Sequence, residues 1–235
     1  MLELRFNTKI TQIHRILCFG AHSDDIEIGC GGTILTMATN IENIVVHWVV
    51  FSANHERQQE AYESANAFLE NVTNKNIVLH RFRDGFFPYS GSEIKEYFEQ
   101  IKSEFSPDLI FTHYRDDLHQ DHRMISELTW NTFRNHLILE YEIPKYDGDF
   151  GSPNVFISLD KTLCEKKARY ILEFFKTQRE KHWFSEDMFL AILRLRGMEA
   201  SATSRYAEAF YCRKILLDPS PPPQIQPGDS EKNQR

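Results

Sequence analysis

Short apolar runs alternate with longer amphipathic stretches along this chain. Residues 16–19 (ILCF) and 44–51 (IVVHWVVF) are continuous, β-branched and aromatic, and read as buried strands. Residues 77–79, 109–111 and 155–157 repeat that pattern more briefly, and 206–213 (YAEAFYCR) reads as a late strand. Helical segments fall between them. One is opened by the glycines Gly29, Gly31 and Gly32 and runs through Thr36 and Met37. A second spans about 55–69, with Ala61, Ala65, Phe68 and Leu69 on one face. A third starts at a Ser92 cap and ends near Glu104, and a fourth follows the segment 112–123, with His119 and His122 at its start, and runs to about His136. Two more cover about 160–176 and 185–197, while 140–154 reads as a polar, Gly- and Pro-bearing loop. Strands alternating with helices predict an α/β fold: a mostly parallel, doubly wound sheet flanked by helices, in a single domain of residues 1–216. The Pro-rich polar stretch 217–235 is expected to be a disordered tail.

Composition narrows the function classes. The chain is 41% hydrophobic and 26% charged with a net charge of −7, ordinary for a globular protein and wrong for general nucleic-acid affinity. Cys18, Cys30, Cys164 and Cys212 are widely spaced with no C-x-x-C pair, which suits a reducing compartment better than a disulfide framework. No apolar stretch is long enough to span a bilayer, and residues 1–10 lack a signal-peptide core. The expectation is a cytoplasmic protein without membrane insertion or nucleic-acid partner, with self-association left open.

The chemistry concentrates where strands end. Residues 19–32 (FGAHSDDIEIGCGG) place His22, Asp24, Asp25 and Glu27 directly after the first strand. Burying so many ionisable groups is costly unless something binds them, and a metal ion would answer that cost. The bland alternative is that Asp24 and Asp25 cap the following helix and His22 is an ordinary loop histidine. A second cluster, His119-x-x-His122 with Asp116, Asp117 and Asp121, follows the fourth strand. In a doubly wound sheet ligands bind beyond the carboxyl ends of the strands, so the loops carrying His22, Asn54, Asp84 and His119 should crowd one rim. Catalytic zinc takes three protein ligands and a water, so His22, Asp25 and His122 are assigned as ligands. Asp24, pointing away from its neighbour, is left to address the water, and His119 is left for electrostatic work, oriented by Asp121 or by Asp116 and Asp117. Arg57 sits at a helix start, where the dipole disfavours a cation, which hints that it holds an anion or a polar substrate group. His47, His55, His80, His113, His136 and His182 read as surface or satisfied core histidines.

The segments AHSDDIE and HQDH, with RYAEAF near the end, resemble the LmbE-like (PIG-L) family of zinc-dependent N-deacetylases over about residues 15–213. The resemblance implies a Rossmann-like fold and hydrolysis of an acetyl group from an N-acetylglucosamine-type amino sugar. It also implies roles: His22, Asp25 and His122 as ligands of Zn2+ (or Fe2+), Asp24 as general base, and His119 as stabiliser of the carbonyl oxygen with Asp121 as its partner. Arg57 would match a substrate-binding arginine, and Asp84, from its place on the same rim, is taken as a second substrate-binding residue. Ser23 stands where the family motif usually has proline. Candidate substrates are free, nucleotide-linked or lipid-linked N-acetyl amino sugars and an N-acetylglucosaminyl malate of a bacillithiol-type pathway. Two rival readings are a nucleotide-binding Rossmann protein, which would leave His119 and His122 without a task, and a non-catalytic metal-binding protein, which would not need Asp24.

Overall fold

The computed structural model describes residues 13–217, so the 1–12 lead-in and the 218–235 part of the expected tail lie outside the described residues. Seven strands form one sheet in the order β3-β2-β1-β4-β5-β7-β6. They are β1 (Arg15–His22), β2 (Val45–Ser52), β3 (Asn74–Leu79), β4 (Leu109–His113), β5 (Leu137–Tyr141), β6 (Val155–Ser158) and β7 (Ala207–Tyr211). β1 lies inside the sheet, at the centre of its parallel run, flanked by β2 on one side and β4 on the other, and β3 and β5 continue that run outward. β7 is inserted antiparallel between β5 and β6.

Alternating side chains divide the core into two layers, as the two-residue period of a strand requires. Ile16, Cys18, Val46, Trp48, Val50, Leu109 and Phe111 face the layer formed by helices α1 (Asp25–Asn40), α2 (His55–Phe68) and α5 (Lys161–Phe174). Leu17, Phe19, Ala21, Val49, Phe51, Ile110 and Ile138 face α3 (Gly91–Glu104) and α4 (Gln120–Thr132). α6 (Glu186–Glu199) packs on α5 and β7. The sheet is therefore covered on both faces, which explains strands that read as unbroken apolar runs.

Several predicted elements are corrected. The glycines do not open α1: it begins at Asp25, and Gly29, Gly31 and Gly32 lie in its interior. They let large side chains come close to the helix backbone. A Cβ on Gly29 would meet the Tyr141 ring at 2.2 Å, one on Gly31 the Phe68 ring at 2.5 Å, and one on Gly32 the Leu159 side chain at 2.5 Å. Large rings from β5 and α2 are seated directly on the helix backbone. α3 is capped at Ser90 rather than Ser92, and α4 stops at Thr132, because residues 137–141, partly assigned to a loop, form β5. Their hydrophobic run was too short to stand out beside the polar segment that follows.

The late motif gains a task here. Glu208 of β7, buried, accepts hydrogen bonds from the Gly32 and Thr33 amides at 2.7 Å each. The buried Lys167 ammonium bonds Glu208 and the Ile28 carbonyl, both at 2.6 Å. Ile28 and Gly32 are the two ends of one helical i,i+4 step, so this ion pair is set into the middle of α1, and its charges are compensated by backbone dipoles.

Candidate metal centre and active site

The order of strands reverses between β1 and β4, and their carboxyl ends open the crevice where doubly wound folds place ligands. His22 is the last residue of β1, and Asp24 and Asp25 open α1. His113 ends β4, while His119 caps α4 and His122 lies in its first turn. Two clusters about a hundred residues apart are thereby brought into contact.

Three atoms form a triangle. His22 Nδ1 is 3.1 Å from His122 Nε2 and 3.4 Å from Asp25 Oδ2, and the last two are 3.6 Å apart. A tetrahedral ion with bonds of about 2.0–2.1 Å holds its ligands roughly 3.3 Å from one another. The other face of each imidazole is occupied. His122 Nδ1 bonds Asp117 Oδ2 at 2.9 Å, and His22 Nε2 meets Asp84 Oδ1 at 3.0 Å and Asp121 Oδ2 at 3.3 Å. With protons on those outer nitrogens, two imidazole lone pairs and a carboxylate oxygen converge on one point. That is the arrangement in which outer carboxylates fix the tautomer of metal-binding histidines. The donor set and edge lengths fit a divalent ion with open positions. All three residues are buried.

Electrostatics follows the geometry. Burial alone would raise the Asp25 pKa, but His122, His113 and His22 outweigh it and hold the carboxyl well below the usual range. Burial opposes charge on His22, yet the surrounding Asp25, Asp121 and Asp84 carboxylates raise its pKa well above 6.5. Burial and the neighbouring His113 lower that of His122; burial with His122 and His22 lowers that of His119.

The remaining candidates fall around this centre. Asp24 occupies the N-cap position of α1 but makes no capping bond with its side chain. Its Oδ1 instead accepts from Arg57 Nη2 at 2.7 Å. The anion that Arg57 meets is thus a carboxylate of the protein, that of the residue immediately before Asp25. His119 Nδ1 accepts from the Asp121 amide at 3.2 Å, which leaves its proton on Nε2 as a donor. The buried Asp121 carboxylate takes the Gly85 and Phe87 amides at 2.7 and 3.1 Å, so it orients His22 and pins the loop that delivers Asp84. Asp121, His119, His22 and Asp84 offer ligand atoms all within 4.8 Å of one another. Asp84 is about 60% exposed and has a pKa lowered to about 2, chiefly by its bond to His22. Glu27 faces away, into the α1–α2 contact, where it accepts from Ser64 Oγ at 2.7 Å.

One participant, His113, is additional, and Asp117, expected only to orient His119, takes a further role. His113, read as a surface or core histidine, is buried with Nε2 3.2 Å from Asp25 Oδ2, and its ring stacks on His122 at 4.0 Å. Its position at the end of a strand on the ligand-binding rim was the available signal. Asp117 orients His122 through its side chain and also accepts from the His119 amide at 2.8 Å.

A family model described as PIG-L, GlcNAc-PI de-N-acetylase, matches residues 17–133, from β1 through α4 and so across both clusters. The chain belongs to the PIG-L family. Solved structures share its fold. An N,N'-diacetylchitobiose deacetylase from Pyrococcus horikoshii is 22% identical, with 86% of this chain and 84% of that one covered and a TM-score of 0.67. The zinc-inhibited form of the teicoplanin deacetylase Orf2 is 16% identical, with 88% and 100% covered and a TM-score of 0.67. GalB, the 4-carboxy-2-hydroxymuconate hydratase from Pseudomonas putida KT2440, is 14% identical, with 88% and 99% covered and a TM-score of 0.64. A hydratase and two deacetylases on one scaffold show that the PIG-L fold alone does not select the reaction, so the reaction must be argued from the site.

Proposed function

We propose that this chain is a metal-dependent hydrolase that removes the acetyl group from an N-acetylated amino sugar. The observation that carries this reading is the triangle of His22 Nδ1, Asp25 Oδ2 and His122 Nε2, with the carboxylate of the residue just before Asp25, Asp24, held separately by Arg57. The family description and the names of two of the structural relatives support deacetylation over the other chemistry the fold hosts. A zinc or iron(II) ion held by His22, Asp25 and His122 would supply a water acidified toward neutrality and polarise the amide carbonyl.

The chain's own groups do the rest. Asp24 accepts the water proton as its oxygen bonds the amide carbon. Arg57 anchors Asp24 Oδ1 and so fixes the direction of the other oxygen. His119, neutral with its proton on Nε2, donates to the carbonyl oxygen as charge develops there, commonly a large contribution in acyl transfer. Asp24 then returns the proton to the nitrogen as the carbon–nitrogen bond breaks, leaving acetate and a free amine. Asp84, half exposed at the mouth, takes substrate hydroxyls. Among the described residues no helix is long and apolar enough to cross a membrane, and the substrate proposed is a small molecule reached from solvent.

Metal analysis of the purified protein, followed by acetate release from free, nucleotide-linked, malate-linked and disaccharide N-acetylglucosamine, tests the reading. The expected result is one bound divalent ion and chelator-sensitive release of acetate and amine in equal amounts. Tight metal binding with no acetate from any of these compounds, or release that survives chelation, would overturn it.

A further inference from the structure

The loop 142–151 follows β5 and borders the candidate metal centre through one partly buried cation. Lys145 Nζ lies 2.8 Å from Asp117 Oδ2, the same oxygen that receives His122 Nδ1, and 2.5 Å from Asp149 Oδ2. Asp149 Oδ2 also accepts the Leu118 amide at 2.7 Å, which ties the loop to the segment between β4 and α4. The side chains of Asp117, Asp149 and Lys145 are 2%, 7% and 12% exposed, so these are charges withdrawn from water, and each needs the others. We infer that Lys145 is a positioning residue: it holds His122 in its metal-binding orientation through Asp117 and, by sharing itself with Asp149, makes the seating of loop 142–151 and the binding of the metal one coupled event. The inference rests on His122 being a metal ligand.

Without the ammonium, the buried Asp117 and the partly buried Asp149 carboxylates would repel, and either the loop lifts with Asp149 or Asp117 turns from His122. Residues that orient a ligand from behind commonly carry about ten- to a hundredfold in metal affinity. The field argument has the opposite sign, because removing a cation near a bound cation favours binding. The direction of the effect therefore discriminates positioning from simple charge.

The test measures zinc affinity of the full chain by competition with a chromophoric chelator, and hydrogen exchange of residues 143–150 with and without zinc. Lys145→Met should weaken zinc binding by about tenfold or more, and zinc should slow exchange of the loop in the wild type but not in this variant. Asp149→Asn leaves Lys145 on Asp117, so it should weaken zinc binding less than Lys145→Met does while losing the zinc-dependent protection of the loop. Unchanged or tighter zinc binding by a folded Lys145→Met protein overturns the inference. If that variant does not fold, undiminished loop protection in Asp149→Asn overturns it instead. A wild-type chain that binds no zinc overturns the metal reading itself, and this inference with it.

Discussion

Replacing Asp24 by asparagine separates the base from the metal. The substitution preserves shape and one acceptor oxygen but removes the site's means of taking a proton. Asp24 lies outside the ligand triangle, and its Oδ1 is committed to Arg57, so the variant should bind its metal as the wild type does. General base catalysis contributes about 10²–10⁴-fold, which is roughly 3–5 kcal/mol of barrier. Catalytic efficiency should fall by that factor through kcat, with KM little changed. Stability should change modestly. The Arg57–Asp24 bond passes from charge-assisted to charge–neutral between side chains only 15% and 7% exposed, a loss of about 1 kcal/mol, or about 2–4 °C in melting temperature. The assay is acetate release at full metal occupancy on a substrate the wild type turns over, with metal content and a thermal melt as controls. An Asp24→Asn enzyme within tenfold of wild-type efficiency would refute the base assignment. Loss of metal would refute the claim that Asp24 is no ligand.

Gly29→Ala should destabilise the fold by about 1–3 kcal/mol, because the new methyl would stand 2.2 Å from the buried Tyr141 ring, which its hydroxyl anchors to the Phe19 carbonyl at 2.6 Å. The helix-propensity gain of about 1 kcal/mol is too small to reverse the sign, and a thermal melt that rises would refute the close-approach account. Metal binding at pH 7 should release about one proton, since the carboxylates around His22 hold a proton on it in the metal-free protein despite burial, and a ligand nitrogen must give that proton up. The raised pKa means the proton is fully bound below the ordinary histidine range and is lost only as pH rises well past it, so affinity should weaken as pH is lowered across neutrality. Calorimetry in buffers of different ionisation enthalpy reads the proton count directly. A binding enthalpy independent of buffer would contradict it.

Much of this protein was legible in one dimension. Alternating apolar runs and amphipathic stretches specify the layered α/β architecture, because strands buried on both faces and helices buried on one leave different periods. His22, Asp25 and His122 could be nominated as ligands because ionisable residues crowded at strand ends have no use in a core. What sequence could not reach were relations between parts that are distant along the chain. β5 was half hidden because its apolar run is short and abuts a polar segment. His113 looked like any buried histidine until the sheet set its ring against His122. Arg57 was marked by its conflict with the helix dipole, but only the packing of α2 beside α1 shows that the anion it meets is Asp24. Lys145 and Asp149 carried no signal, since a charged loop reads as solvated until its charges are found paired and largely withdrawn from water. Residue type and local period are properties of short windows, and they determined the fold class and the chemistry on offer. Which nitrogen bears a proton, which carboxylate turns toward the His22–His122 pair and which steadies a histidine from behind depend on distances of about 3 Å between residues up to a hundred positions apart, and only the folded sheet sets those.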